Sequence, residues 1–191
     1  MKSFKEYLTK SIFEVYHGSK QVINDFKYEY TNSGNDQLGS GFYFTSDPED
    51  AKIYGDKIHK VQLTLKNPID ADKKGSMDIN QVLMFINNSP DIEDSLSNWG
   101  DVDRYSIQKI AREAAINYTF KNENIVRSLF NLANDFYPND VEKFNRMITK
   151  VLKYDGIIKR HDNGVIHYVA FFPEQIKVIG REEIWNHLKN I

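Results

Sequence analysis

Two periodicities divide this chain, and they run in the order strand, helix, strand. From His59 to Lys66, Val61, Leu63 and Leu65 alternate with Lys60, Gln62, Thr64 and Lys66, the period-two signature of a half-buried strand. Ile12 to Tyr16 and Phe42 to Thr45 are apolar segments of strand length. Between residues 73 and 152 the step changes to three and four: Ile79, Val82, Leu83, Ile86; Ile107, Ile110, Ala114, Tyr118; Ile125, Leu129, Leu132, Phe136; Val141, Phe144, Ile148, Val151. Such series predict four or five amphipathic helices packed as a small bundle, punctuated by Pro90, Gly100 and Tyr137-Pro138-Asn139-Asp140. Strand character returns at Gly156 to Lys159, Val165 to Phe172 and Ile176 to Ile179, with His161-Asp162-Asn163-Gly164 as a hairpin turn. A last helix is expected from Glu182 to Lys189. Strands in two groups around a helical block predict an α+β fold: a sheet domain from residues 1–72 and 153–191, interrupted by a helical insertion at 73–152.

Composition narrows the functions open to such a chain. At 191 residues it is one domain, or one domain with a large insertion, and can bury a real core. A net charge of -2 argues against a dedicated nucleic-acid binder. There is no cysteine, which excludes disulfides, thiolate metal sites and cysteine nucleophiles. No apolar run reaches the roughly 18 residues of a membrane span. Residues 1–10 alternate charged and apolar groups rather than forming a secretory signal, so a soluble, cytoplasmic protein is expected. Phe4, Tyr7 and Leu8 share one face of that segment, as in a short helix docked on the core.

The residues that carry chemistry gather between Val15 and Tyr54. A strand ends by delivering His17, Gly18 and Ser19; Gly39-Ser40-Gly41 then releases a second strand holding Tyr43. Ser46-Asp47-Pro48 starts a helix that carries Tyr54, because a capping oxygen satisfies spare amides and proline pre-sets φ. The Gly39-x-Gly41 pair is too short for a phosphate loop and lacks its lysine. His59, His161 and His187 show no metal-ligand spacing and read as surface or turn residues. Lys143, Arg146, Lys150 and Lys153 step by three, four and three, forming one basic stripe on the last inserted helix, near Lys159 and Arg160 in sequence. It could hold an acidic protein or a nucleic-acid acceptor, although a solvated helix face is the commoner outcome.

Tyr16-His17-Gly18-Ser19, then Gly39-x-Gly41-Phe42-Tyr43-Phe44-Thr45, Ala51 to Tyr54, and Tyr168-Val169-Ala170-Phe171 through Gln175 resemble the ADP-ribosyltransferase fold of the His-Tyr-Glu class. Poly(ADP-ribose) polymerases and diphtheria toxin belong to that class. The pattern is most similar to ADP-ribosyltransferase domains of phage and mobile-element polyvalent proteins. The resemblance covers residues 12 to 68 and 153 to 180, and the eleven-position step from Tyr43 to Tyr54 is that of the polymerases. It implies a split antiparallel sheet that clamps NAD+ as co-substrate, with no metal and no covalent nucleophile.

It also implies roles. His17 would bond the adenosine ribose, the Gly18 backbone the nicotinamide carboxamide, and Ser19 would add a polar contact. Tyr43 and Tyr54 would sandwich the pyridinium ring, whose charge suits an aromatic face. The sequence departs from the class at its third motif residue, because His167 stands where the catalytic glutamate is expected. A carboxylate there favours the developing ribose cation, and neutral histidine supplies a hydrogen bond but no charge. Three readings follow: a transferase using His167, a transferase using nearby Glu174, or a pocket that binds NAD+ or ADP-ribose without turnover. Loss of the glutamate implies mono- rather than poly-ADP-ribosylation of a macromolecular acceptor, a host protein ahead of nucleic acid. RNA 2'-phosphotransferases share the clamp, but the strongly basic phosphate site they need is not assembled here.

Each residue also has an ordinary explanation. Phe42, Phe44, Tyr16 and Tyr168 fit packing in the sheet, Tyr43 and Tyr54 could do the same, and His167 could simply pair across strands. The first ten residues resemble capsid-targeting tags of internal head proteins in T4-like phages, with Lys10 where those tags carry glutamate. That resemblance implies phage origin, action in the host cytoplasm and packaging in the virion.

Overall fold

The computed structural model describes residues 11–31, 38–101, 106–121 and 124–183. The expected opening helix and packaging tag, His187 and the end of the expected last helix lie outside those residues. Seven strands form one sheet: β1 (Ser11–Ser19), β2 (Phe42–Thr45), β3 (Lys57–Leu65), β4 (Ile69–Asp70), β5 (Gly156–Arg160), β6 (Ile166–Ala170) and β7 (Ile176–Glu183). Their order is β4-β5-β6-β2-β1-β3-β7, antiparallel except for β4 against β5. Among the described residues six helices accompany them: α1 (Pro48–Ala51), α2 (Ile79–Asn87), α3 (Ile92–Ser97), α4 (Ile107–Lys121), α5 (Ile125–Phe136) and α6 (Val141–Leu152). The last five fall between β4 and β5, as the change of period predicts. β7 corrects the expectation at Glu182 and Glu183, which extend a strand pairing with β3 instead of starting a helix.

The sheet is split in the middle. β1 pairs with β3 over nine residues and β2 with β6 over four, yet β1 and β2 meet at a single pair, Tyr16 and Thr45. Two half-sheets, β4-β5-β6-β2 and β1-β3-β7, therefore diverge from one bridge. Gln175 staples them on one side. Its Oε1 accepts from the Phe171 and Phe172 amides at 3.0 and 2.8 Å, and its Nε2 donates to the carbonyls of Thr64 and Asp155 at 3.2 and 2.8 Å. By drawing off those amides Gln175 also ends β6 at Ala170, short of the expected Phe172.

Alternation along the strands builds two cores. Val169, Ile157 and Ile69 face the helices and join Phe85, Leu132, Phe136 and Phe144. Val15, Phe42, Phe44, Val61, Leu63, Leu65, Tyr168 and Ala170 face the other way, beneath Phe26 and Tyr28. A fully buried side chain of this size contributes about 1.5–3 kcal/mol, so both faces of the sheet are anchored. Helix starts follow the residues at their N-caps. Asp78 and Gln81 form a capping box on α2, Asn124 caps α5 and Asp140 caps α6, each satisfying amides that a helix leaves open.

Candidate active site

His17 comes from within β1 rather than beyond its end, and its ring crosses the split. Its Nδ1 donates to the Tyr43 carbonyl on β2 at 2.8 Å; a carbonyl can only accept, so the proton sits on Nδ1. The ring packs against Phe44 and Phe26, the latter edge-on with centroids 5.1 Å apart. Burial lowers the pKa of His17 most, the Tyr43 carbonyl opposes that, and His59 adds to the lowering. A neutral imidazole with Nε2 as acceptor is the result.

His59 is not the surface or turn residue its lack of ligand spacing suggests. It is buried in β3 directly opposite His17. Its Nε2 accepts the Ile23 amide at 2.8 Å and its Nδ1 donates to the His17 carbonyl at 3.3 Å. Arg181 holds the same segment through Asn24 Oδ1 at 2.6 Å. Together they fix the chain after β1 so that Phe26 stands over His17.

α1 occupies the opposite face. Asp47 caps it, accepting from Glu49 N at 2.9 Å, and Pro48 takes the first position as predicted. The helix stops at Ala51, so Tyr54 lies in the following turn, more than half exposed. Gly18 is what lets this turn lie on β1: a Cβ there would stand 1.8 Å from the Ala51 carbonyl oxygen, and one on Gly55 would stand 2.1 Å from Ser19 carbon. Ser46 fixes the helix start to β6, its amide donating to the Ile166 carbonyl and its Oγ accepting the Ile166 amide, both at 2.9 Å.

That anchoring brings α1 to His167. His167 Nε2 donates to Asp50 Oδ2 at 2.8 Å, and its Nδ1 meets His161 Nε2 at 3.1 Å. In the neutral ring Nδ1 accepts, so His161 donates. The cross-strand pairing considered for His167 is thus replaced by a carboxylate from a helix and an imidazole from the β5–β6 turn.

The remaining expected residues are dispersed. The Tyr43 side chain packs with the helix-side core, its hydroxyl donating to the Gly39 carbonyl and accepting the Leu38 amide at 3.1 Å; its backbone carbonyl is what meets His17. Ser19 Oγ donates to the Gln21 carbonyl in a local turn. Glu174 is exposed in the 3-10 turn Pro173–Gln175, where its charge acts on Tyr28 and Arg146; no hydrogen bond or ion pair joins it to His167 among the described residues. Lys143, Arg146, Lys150 and Lys153 all lie exposed along α6 and its C-cap, with Arg146 bound to Glu142 at 2.5 Å and set over the Phe172 ring at 5.7 Å. Among the described residues no cluster of three metal-ligating side chains occurs, and no helix is long and apolar enough to cross a membrane.

Asp50, His59 and His161 escape a motif reading. His59 leaves a signal, since it continues the inward series Val61, Leu63, Leu65 one step back. Asp50 leaves none, because its partner is remote in sequence.

Comparison with known proteins agrees with this architecture. None of the curated proteins compared matches the chain. Among solved structures, one described as "Crystal structure of an anti-CRISPR protein" is 15% identical, covering 90% of this chain and 96% of its own at a TM-score of 0.36, a likeness too low to carry argument. A family model described as "ADP-Ribosyltransferase in polyvalent proteins" matches residues 11–185. The match runs through the helical stretch that the motif resemblance leaves out. With the split sheet and the ordered His17, Tyr43 and Tyr54, the chain belongs to the ADP-ribosyltransferase family of polyvalent proteins.

Proposed function

We propose that the protein is a mono-ADP-ribosyltransferase that uses NAD+ as co-substrate and modifies a macromolecular acceptor, a protein side chain ahead of nucleic acid. The observation that carries this reading is the split at the single Tyr16–Thr45 pair, flanked by His17 on one side and the His167–Asp50 pair on the other. In the reaction the bond from ribose C1' to the pyridinium nitrogen breaks, its electron pair leaving with neutral nicotinamide. The transition state is oxocarbenium-like, as in glycoside hydrolysis. An acceptor lone pair then forms the new bond to C1', and its proton passes to water. His17, kept neutral by burial, suits a hydroxyl of a ribose, to which Nε2 offers an acceptor. Gly18 on β1 and the exposed Tyr54 on the turn packed over it border the place where the nicotinamide would sit. The helical block would recognise the acceptor through Lys143, Lys150 and Lys153, with Arg146 already engaged by Glu142. A phage or mobile-element effector acting on host components in the host cytoplasm is the biological setting that fits.

One observation favours a second reading. His167 replaces the expected glutamate and both its ring nitrogens are engaged, which suits a silent module that binds NAD+ or ADP-ribose. Incubation with labelled NAD+ and a bacterial lysate separates the two, with label followed in protein and nucleic acid and free nicotinamide counted. The transferase reading expects label on a macromolecule and its loss in His17→Ala. Binding of NAD+ with neither label nor nicotinamide released would leave the silent module. Charge reversal at Lys143 and Lys150 is expected to abolish labelling and spare NAD+ binding; equal loss of both would remove the stripe from acceptor recognition.

A further inference from the structure

His167 and Glu174 are the two residues the sequence offers for the missing carboxylate, and neither is placed to provide it. His167 has no charge of its own to give when neutral. Glu174 is exposed in the Pro173–Gln175 turn, among Tyr28 and Arg146. A carboxylate is nevertheless present beside His167, on another element. Asp50 is the third residue of α1, next to Ala51, whose carbonyl packs on Gly18. Its side chain is 20% exposed and that of His167 23%, so the pair is half-buried and still open to a ligand. One carboxylate oxygen, Oδ2, receives His167 Nε2; among the described residues Oδ1 takes no hydrogen bond.

We propose that Asp50 is the catalytic carboxylate of this protein, Oδ1 accepting a hydroxyl of the nicotinamide ribose while His167, with His161 behind it, positions the group. The assignment rests on the transferase reading above. Its physical basis is that a carboxylate stabilises the oxocarbenium charge from any element that places it near the ribose, and a fixed carboxylate does so without reorganising when charge develops. α1 is fixed at both ends: Ser46 ties its start to Ile166 of β6, and Ala51 rests on Gly18 of β1. Asp50 therefore belongs equally to the two half-sheets that would clamp the dinucleotide. Its substrate contact would lie on the same side of the sheet as Gly18, where the carboxamide is expected. No atom beyond those of the transfer reaction is required, because Asp50 takes up no proton and the acceptor proton goes to water.

The test uses the full chain and NAD+ as the probe, measuring nicotinamide release, NAD+ affinity and thermal unfolding for each variant. Asp50→Asn keeps the shape and an acceptor for His167, so it is expected to fold normally, bind NAD+ with affinity within about 3-fold of wild type, and lower kcat by about 100-fold or more. His167→Gln is expected to lower kcat by roughly 10- to 100-fold through misplacement of Asp50. Moving the carboxylate onto the strand, in Asp50→Asn with His167→Glu, is expected to recover turnover relative to Asp50→Asn, which a merely structural pair would not do. Normal turnover in Asp50→Asn, or loss of turnover in Glu174→Gln with Asp50→Asn still active, would overturn the assignment and leave the transferase reading intact. A wild-type chain that binds NAD+ and releases no nicotinamide even with a bacterial lysate supplying acceptors would overturn both.

Discussion

Two histidine pairs stand in this molecule, and they differ in what holds them. His17 and His59 lie opposite each other on β1 and β3, ring centroids 6.2 Å apart, and every hydrogen bond they make goes to backbone: the Tyr43 carbonyl, the His17 carbonyl and the Ile23 amide. His161 and His167 lie on the β5–β6 hairpin with centroids 4.3 Å apart, and His167 binds the Asp50 carboxylate. Burial lowers the pKa of both members of the first pair. That pair is a fixed, neutral hydrogen-bonding device that sets the loop after β1. The second is keyed to a charge. The same residue type thus serves two purposes, and its environment decides which.

The largest expected effect comes from separating the two pairs. Gly18 lies beside His17 in β1 and beneath the turn that carries Asp50, and a Cβ there would meet the Ala51 carbonyl oxygen at 1.8 Å. Backbone must move to admit it, so Gly18→Ala is expected to cost on the order of 3 kcal/mol. That corresponds to a fall in Tm of about 10 °C for a domain of this size. Nicotinamide release should be lost with it, and an unchanged Tm would show that the turn is not seated on β1. His59→Ala is next, at about 2 kcal/mol, because the Ile23 amide loses its acceptor. Limited trypsin digestion checks it: faster cleavage after Lys20 and Lys27 than in wild type is expected, since that segment would open locally.

How far these pairs could be read from sequence follows from the range of each signal. Period-two and period-three-and-four patterns are local, so β2, β3 and the helices α2, α4, α5 and α6 were legible almost to their ends, whereas α3 at Ile92–Ser97 is too short to carry a series of its own. The inward face of β3 was legible too, and His59 sits on it, although its lack of ligand spacing points to a surface or turn residue. The two-residue strand β4 is too short to carry a period. The split at Tyr16 and Thr45 has no local signature, and its expectation came from family resemblance. His17 was legible as a motif residue. The meeting of Asp50, His161 and His167 was not, because it depends on how Ser46 ties a helix start to a distant strand. The basic stripe along α6 is equally plain in the spacing, but spacing does not show that Glu142 already holds Arg146.

The pH dependence of stability sharpens the comparison from the buried side. His59 has its pKa lowered from the ordinary 6.5, first by burial, with the Arg181 charge adding to the effect and the His17 carbonyl opposing it; His17 is lowered as well. Below pH 6.5 the unfolded chain binds protons that the native chain refuses, so stability rises with pH in that window. The contribution is present in full above 6.5 and is lost as pH falls through the depressed native values. Wild-type Tm is therefore expected to drop between about pH 7.5 and pH 5, and His59→Gln to show a shallower drop from a lower starting point. An equal slope in the variant would place the sensitivity elsewhere.

The smallest expected effect comes from the exposed member of the second pair. His161 lies in the β5–β6 turn, exposed, and among the described residues its one side-chain partner is His167. Exposed polar substitutions of this kind change stability by less than about 0.5 kcal/mol, so His161→Ala should leave Tm nearly unmoved. What should change is the tautomer balance of His167, followed by nitrogen chemical shifts of its ring. Asp50 requires the Nε2–H form, and His161 supports it by donating to Nδ1. If Asp50 dominates, the Nε2–H form survives His161→Ala and only the Nδ1 resonance moves. If the Nδ1–H form appears instead, His161 is the residue that fixes the ring, and the charge beside His167 is held more loosely than the buried pair holds its backbone partners. The two histidine pairs would then differ in rigidity as well as in charge, and the site would owe its order to the buried one.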